Sequence, residues 1–377
     1  MVTPLPPDRS QPGGVPAPPG PVPRRSRIAD LAGDPALAAR LARLRRFSRG
    51  IRTSEYHVTN ACNLRCRGCW FFAYDYDQAT RDARPLEAWR AFAQAQAERG
   101  VTSALLIGGE PTLHPERVAA FVEHMPYVTV SSNGLRELPR QGFERVQVAL
   151  TLFGGGDLDD DLRGWRPSGR RISGLFDQAL RQYKDDPRVC FIYALAGEGL
   201  PHIEPTVRRI RDNGNRVTFN YYSRYGEGDP LRRDEEGRLL EEALRVRELH
   251  PETVLSHPYY LRALLTGRTG WGEFGYASCP SISVDHPAHA ARLKNGNPVL
   301  PGFNAYASDL ETVQFCCTSG HCEGCRDSQA VYSWLLTNVK HFLGSPELLR
   351  TWVEVAESYW SQFVWSEYHR AGVPAAR

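Results

Sequence analysis

No stretch of this chain approaches the roughly 18 consecutive apolar residues that a membrane span needs. No charge of one sign dominates either: 46 Lys and Arg stand against 43 Asp and Glu, too even for a polybasic nucleic-acid binder. The first residues lack the apolar core of a secretory signal, so a cytoplasmic protein is expected, without membrane or nucleic-acid partners. Those absences exclude a membrane protein, a secreted disulfide scaffold and a polybasic binder. No internal repeat is visible. What remains is 377 residues, 41% apolar and 24% charged, the profile of a globular protein with about two and a half domains' worth of chain.

Residues 1–26 hold nine prolines and few large apolar side chains, and read as a disordered tail. Residues 27–53 read as a basic helical lead-in. Asp34 and Pro35 supply a cap and first position, with Leu37, Leu41 and Leu44 as an apolar stripe. Arg40, Arg43, Arg45, Arg46 and Arg49 crowd this segment and are expected on a solvated face. From 54 to 225, strand-like runs (54–60, 101–107, 127–131, 145–152, 189–195 and 216–222) alternate with helical segments (85–99, 115–124, 175–185 and 203–212). Such alternation builds βα units around a parallel sheet, either doubly wound or an incomplete barrel. Residues 226–377 change character. Helical stretches at 239–249 and 259–265 precede a Gly/Pro/Asn-rich segment. A last helix opens at Ser345 and Pro346, with Leu349, Trp352, Ala356, Tyr359 and Phe363 on one face as ordinary core or interface.

Nine cysteines carry the chemistry, and in a chain without a secretory signal closely spaced cysteines read as metal ligands or catalytic groups. Cys62, Cys66 and Cys69 follow the first strand, at the strand end where α/β sheets and barrels bind ligands. Three thiolates cannot close a structural zinc site, which needs four ligands. Zinc therefore requires His57 or a distant fourth ligand. On a four-iron cubane the same three leave one iron open to an external ligand. The second strand ends in Gly108, Gly109 and Glu110. The glycines allow close backbone approach, and the carboxylate can accept from an ammonium group. The third ends in Ser131-Ser132-Asn133-Gly134, polar groups suited to hydroxyls or an amino-acid head group.

Together these motifs resemble the radical S-adenosylmethionine (radical SAM) superfamily, with its Cys-x3-Cys-x2-Cys signature and Gly-Gly-Glu after the second strand. The resemblance covers roughly residues 54–225. It implies a partial (β/α)6 TIM-like barrel and a [4Fe–4S] cluster on Cys62, Cys66 and Cys69. It also implies S-adenosylmethionine at the fourth iron, its methionyl amino group held by Gly108, Gly109 and Glu110. Ser131 or Asn133 would then reach the ribose or carboxylate. The family usually has an aromatic just before the third cysteine. Gly68 stands there, and Trp70 is the candidate substitute near the adenine. The implied chemistry is reductive cleavage to a 5′-deoxyadenosyl radical that abstracts hydrogen, with a flavodoxin- or ferredoxin-type protein as one-electron reductant.

Five more thiols follow: Cys279, Cys316, Cys317, Cys322 and Cys325. A local pair completed by distant cysteines resembles the auxiliary-cluster domains (twitch or SPASM type) of radical SAM enzymes. The full seven-cysteine SPASM pattern is absent. One auxiliary [4Fe–4S] cluster is expected on Cys279, Cys317, Cys322 and Cys325, with Cys316 the alternative to Cys317 and a zinc knuckle the alternative to iron. Residues 226–377 are thus expected as a mainly helical or irregular auxiliary-cluster domain. A spare thiol, Cys316, Cys317 or Cys190, is either a hydrogen donor to a substrate radical or a small apolar residue. The acidic run Asp157, Asp159, Asp160, Asp161 fails the EF-hand pattern, with Leu162 and Ser168 where Gly and an acid are required, and is expected as a solvated loop. The substrate expected is a small biosynthetic molecule, with a peptide as the alternative. The reading from another class is a non-catalytic zinc or iron–sulfur protein.

Overall fold

The computed structural model describes residues 34–83, 85–221, 235–275, 279, 283–287, 290, 302–314 and 325–364. The segment 1–26 and Cys316, Cys317 and Cys322 lie outside the described residues.

Six strands form the frame: β1 (Thr53–His57), β2 (Ser103–Ile107), β3 (Tyr127–Ser132), β4 (Val146–Leu152), β5 (Val189–Leu195) and β6 (Arg216–Tyr221). They run parallel and neighbour one another in chain order. A doubly wound sheet reverses its strand order at a switch point, and this sheet does not reverse anywhere from β1 to β6. The architecture is therefore a partial (β/α)6 barrel. Beyond the small hairpin of β7 (Arg268–Thr269) and β8 (Gly272–Glu273), two short strands widen the β1 edge. β9 (Ala305–Tyr306) pairs parallel to β1, and β10 (Val313–Gln314) antiparallel to β9.

Side chains alternate across each strand, so the sheet has two faces of different chemistry. Val128, Val130, Val148, Leu150, Phe191, Tyr193, Val217 and Phe219 are buried in the main core. Between them Thr129, Ala149, Thr151, Ile192, Ala194 and Asn220, smaller or more polar, line an internal cavity. Among the described residues, ten helices of eight residues or more complete the frame. These are α1 (Pro35–Arg49), α2 (Leu86–Glu98), α3 (Pro115–His124), α4 (Gly156–Arg163), α5 (Leu175–Gln182), α6 (Ile203–Asp212), α7 (Glu236–Leu249), α8 (Pro258–Thr266), α9 (Ser328–Thr337) and α10 (Pro346–Phe363).

Between β3 and β4 no helix intervenes. Leu138 and Phe143 anchor that connection in the core, and the buried Arg188 guanidinium holds its backbone. Arg188 donates to the carbonyls of Leu138, Pro139 and Phe143 at 3.0–3.1 Å and is neutralised by Asp186 at 2.7 Å. Five donors in a rigid fork suit one arginine to replace a missing element.

Residues on both sides of position 225 share one core: Leu239, Val246, Tyr260, Leu264, Tyr332 and Val355 belong to the same cluster as the strands. Tyr260 and Tyr332 stack at 3.8 Å. On the lead-in helix, Leu37 and Leu41 pack against Leu349 and Val353 of α10, and Leu44 against Ala356.

Two expectations are corrected. Arg40 is not merely solvated: it bonds Glu357 at 2.6 Å and lies 3.6 Å from Glu354, tying α1 to α10. The acidic run at 157–161 is not a solvated loop but part of α4. Asp159 and Asp160 are buried there because they serve backbone donors. Asp159 accepts from the Phe153 N–H at 2.7 Å and from Arg163. Asp160 accepts from the Gly174 and Leu175 N–H groups, the orphan donors at the start of α5.

Candidate active site

The cysteine loop grows directly out of the sheet. Past β1 the chain keeps pairing with the end of β2: the Val58 N–H donates to Ile107, and the Gly109 and Glu110 N–H groups donate to the Thr59 and Ala61 carbonyls at 2.8–2.9 Å. This contact explains both glycines. A Cβ on Gly108 would sit 2.7 Å from the Thr59 oxygen, and one on Gly109 only 2.1 Å from the Ala61 oxygen. The pair therefore admits the neighbouring backbone, a different reason from the approach to a ligand expected from sequence. Between Cys66 and Cys69 the chain reverses through Gly68 at φ 63°, a conformation costly for a side chain with a Cβ. Cys69 then caps a helical turn, Trp70–Ala73.

Three strand ends meet at this loop. Cys62, Cys66, Cys69 and Trp70 after β1, Gly108, Gly109 and Glu110 after β2, and Ser131 and Asn133 around the end of β3 all line one cavity of about 300 Å³. That volume is at the lower end of the range for ligand pockets. The thiols are half-buried, and burial pushes Cys62 up to about 12 and raises Cys66 and Cys69 likewise. Groups that favour thiolate oppose this. The Leu64 N–H reaches the Cys62 sulfur at 3.5 Å and the Asn133 Nδ2 lies 3.7 Å from it, while the nearby Phe71 and Phe72 amides work against the rise at Cys69. A buried cation, Arg163, sits beside Cys66 and is held by Asp159 at 2.9 Å and by the Asn133 carbonyl. Donors to sulfur and a nearby guanidinium are what a set of metal-bound thiolates requires, so the residues present fit an iron–sulfur group.

Glu110 does more locally than the sequence suggested. Burial raises its pKa although its carboxylate takes four hydrogen bonds. Oε1 accepts from the Thr112 N–H, the Thr112 hydroxyl and the Ser132 hydroxyl, and Oε2 from the Asn133 N–H at 2.8 Å. Glu110 thereby locks the loops after β2 and β3 together. Oε1 thus carries three donors and Oε2 only one, so a further donor would come to Oε2. Asn133 continues the chain, donating to the Asn63 side chain at 2.7 Å next to Cys62.

His57, the candidate fourth zinc ligand, is packed among the rings of Trp70, Phe71 and Tyr76. Neither ring nitrogen has a hydrogen-bond partner, and burial lowers its pKa to about 3. Among the described residues no three His, Cys, Asp or Glu side chains form a ligand set for a single metal ion. A His57-completed zinc site is thus not formed. Cys279 and Cys325 are half-buried and are not part of the cavity lining. Cys190, fully buried on β5, does not line it either, with its sulfur 3.7 Å from the Phe191 carbonyl. That burial matches the small apolar residue rather than the hydrogen donor. Sequence reading missed Arg163, Glu55, Thr129, Thr151, Asn220, Asp327 and Phe363, all in the lining. A partial signal existed: Asp159 and Arg163 stand at helical i,i+4 spacing, and Thr129 and Ser131 share one face of β3.

The sequence of residues 56–173 matches the radical SAM superfamily. The chain carries a radical SAM domain. That superfamily implies a [4Fe–4S] cluster and S-adenosylmethionine. Curated relatives include a GTP 3′,8-cyclase of Peptoclostridium acidaminophilum, 29% identical over 138 residues, which are 31% of this chain and 42% of that protein. A GTP 3′,8-cyclase of Mycolicibacterium smegmatis is 33% identical over 117 residues, 28% of this chain and 32% of that protein. The chain thus spans less than half the length of the curated relatives it matches. Among solved structures it is similar to Streptococcus suis SuiB bound to its precursor peptide SuiA (TM-score 0.49, 14% identity, 79% of this chain and 68% of that one). It is also similar to anSMEcpe with bound AdoMet (TM-score 0.47, 12% identity, 82% and 96%). No helix among the described residues is long and apolar enough to cross a membrane.

Proposed function

We propose that the radical SAM domain is catalytic and that Cys62, Cys66 and Cys69 hold three irons of its [4Fe–4S] cluster. When bound, the cluster and S-adenosylmethionine supply one-electron cleavage to a 5′-deoxyadenosyl radical for hydrogen abstraction. The chain's own residues bind and orient. The free acceptor position on Glu110 Oε2 takes the methionyl ammonium beside the Gly108–Gly109 backbone, Ser131 and Asn133 address the polar head or ribose, and Trp70 flanks the adenine. Arg163 beside Cys66 and the amide donors to Cys62 hold negative charge on sulfur. The supporting observation is that nine residues from three separate strand ends line one cavity.

The remaining lining narrows the substrate. Glu55, Asp327 and Asn220 face the cavity, and Arg163 is the one Lys or Arg in the described lining, already bound to Asp159. A triphosphate needs unspent cations, whereas amines and hydroxyls suit carboxylates and amides. The reading is therefore a small amine- or hydroxyl-bearing substrate rather than GTP, with a peptide presenting such groups as the alternative. Cys279, Cys317, Cys322 and Cys325 are assigned to an auxiliary [4Fe–4S] cluster that accepts an electron from the product or stabilises the fold.

Anaerobic reconstitution tests this. The full chain should take up about eight irons in two [4Fe–4S] clusters and, once reduced with dithionite, release 5′-deoxyadenosine from S-adenosylmethionine. Cys66→Ala should abolish that release. Spectroscopy showing the fourth iron permanently bound by a side chain would overturn the reading, as would a GTP-dependent product its substrate part.

A further inference from the structure

Resting on that reading, we infer that the outer side of the cysteine loop is the docking surface for an acidic one-electron carrier protein. One side of the loop faces the cavity. The loop residues between those that line the cavity, Arg65 and Arg67, line instead a separate open cleft with Arg166, Arg171, Asp161 and Trp165. Four guanidiniums against one carboxylate make this cleft +3, as much as the formal net charge of the whole 377-residue chain. The positive charge is therefore local and placed, not the spill-over of a basic protein.

It is also pre-ordered. The 165–171 segment folds back on itself, Trp165 bridging Arg171 and the Arg166 N–H bonding the Arg170 carbonyl at 2.9 Å. The Arg65 and Arg67 N–H groups bond the Trp165 and Leu162 carbonyls at 2.7 and 2.8 Å, fastening the cysteine loop to that turn. Arg65 and Arg67 flank Cys66 in sequence, so the charged surface and the thiols share one short stretch of backbone. Arg65 lies over the Phe72 ring at 3.8 Å, and Arg171 pairs with Asp161 above Trp165. A surface of this sign steers a negatively charged partner and sets its orientation. Here the orientation brings a carrier to the loop whose Arg65 and Arg67 flank the cluster ligand Cys66. The carrier's flavin loses one electron and the cluster gains it, and no group or proton is transferred.

Flavodoxin is the probe, and its binding to the full chain is measured by biolayer interferometry, a readout independent of turnover. Affinity should fall steeply between about 50 and 300 mM salt as screening shortens the field. Arg166→Glu/Arg171→Glu should weaken binding at low salt by at least about tenfold, and Arg166→Gln/Arg171→Gln by less in the same direction. Arg45→Glu/Arg46→Glu, an equal charge change on the exposed face of α1, should bind as the unaltered chain does. Dithionite-driven release of 5′-deoxyadenosine should be alike in all four proteins. Unchanged flavodoxin binding by the cleft reversal overturns the inference, and so does equal weakening by the α1 reversal. Duplex DNA that loses affinity with the cleft variants while flavodoxin does not would reassign the surface and also overturn it. Failure of the unaltered chain to release 5′-deoxyadenosine with dithionite would instead sink the catalytic reading, leaving the binding result to be judged by itself.

Discussion

An added carbon at Gly109 would stand 2.1 Å from the Ala61 carbonyl oxygen, and neither partner is a flexible side chain that can swing away. Gly109→Ala must therefore shift residues 59–61, and with them Cys62, while the sheet below is untouched. The expected outcome is a folded protein with normal circular dichroism whose reconstituted iron falls by about half or more, since one thiolate in three is displaced. Arg163 makes a different kind of residue-scale case. It is buried with Asp159, and removing one member of a buried ion pair leaves the other uncompensated, at about 3–5 kcal/mol. Arg163→Gln should lower the unfolding free energy measured in urea by that amount. Arg163→Gln/Asp159→Asn should recover part of it, although Asp159 still has the Phe153 N–H to satisfy. The motif Cys62-x3-Cys66-x2-Cys69 was legible because thiol spacing is local. Arg163 was not, because its role depends on α4 folding back over the loop, and an acidic run read alone looks solvated.

Strands and helices of the barrel were legible for the same reason that the cysteines were: β5 and α6 coincide with their expected limits, because period 2 and period 3.6 are written within each segment. Elements without a local pattern were not. α9 is apolar nearly all round because it is enclosed on every side, so it shows no amphipathic stripe, and β9 is two residues long. The β3–β4 connection is the clearest instance of a device invisible in sequence, a loop held by Arg188, the residue just before β5. Its partner Asp186 supplies a pH test. Burial would raise the Asp186 pKa, but hydrogen bonds and charge from Arg188 outweigh it and hold the carboxyl below its ordinary value. A carboxylate with a depressed folded pKa stabilises fully above the unfolded value of about 3.9 and loses that contribution as pH falls through the folded value. Asp186→Asn should therefore cost about 1.5–3 kcal/mol at neutral pH. The gap between variant and unaltered chain should stay constant from pH 7 to about 5 and narrow below about pH 4. Urea midpoints at pH 7, 5 and 3.5 would check it. A gap that widens toward acid would show that Asp186 contributes through something other than its charge.

At the scale of the whole molecule, the two ends of the described chain pack together and brace the sheet. α10 packs its apolar face on α1 through Leu349 and Val353, then runs its last turn across the inner face of the sheet. There the Thr129 hydroxyl of β3 donates to the Phe363 carbonyl and the Thr218 hydroxyl of β6 to Gln362, both at 2.5 Å. Gln362 donates in turn to Tyr332 on α9 and to Ser358, both at 2.8 Å. One amide thus joins three elements from distant parts of the sequence inside the core, where a fully satisfied polar network specifies a single arrangement and a broken one is costly. Phe363 lines the cavity on this side, so the helix forms a wall of the reaction chamber as well as a structural brace. Removing everything after residue 345 exposes the inner face of the sheet and the Leu37–Leu41 stripe together. The expected product binds a hydrophobic dye and has lost its single cooperative thermal transition. Gln362→Ala is the graded version. It leaves the Thr218 and Tyr332 hydroxyls short of a partner and should cost about 1–3 kcal/mol in urea unfolding, with the early cysteines still able to take up iron. Equal stability of that variant and the unaltered chain would mean that α10 is held by its apolar face alone, and the network across the barrel would then be incidental to the fold.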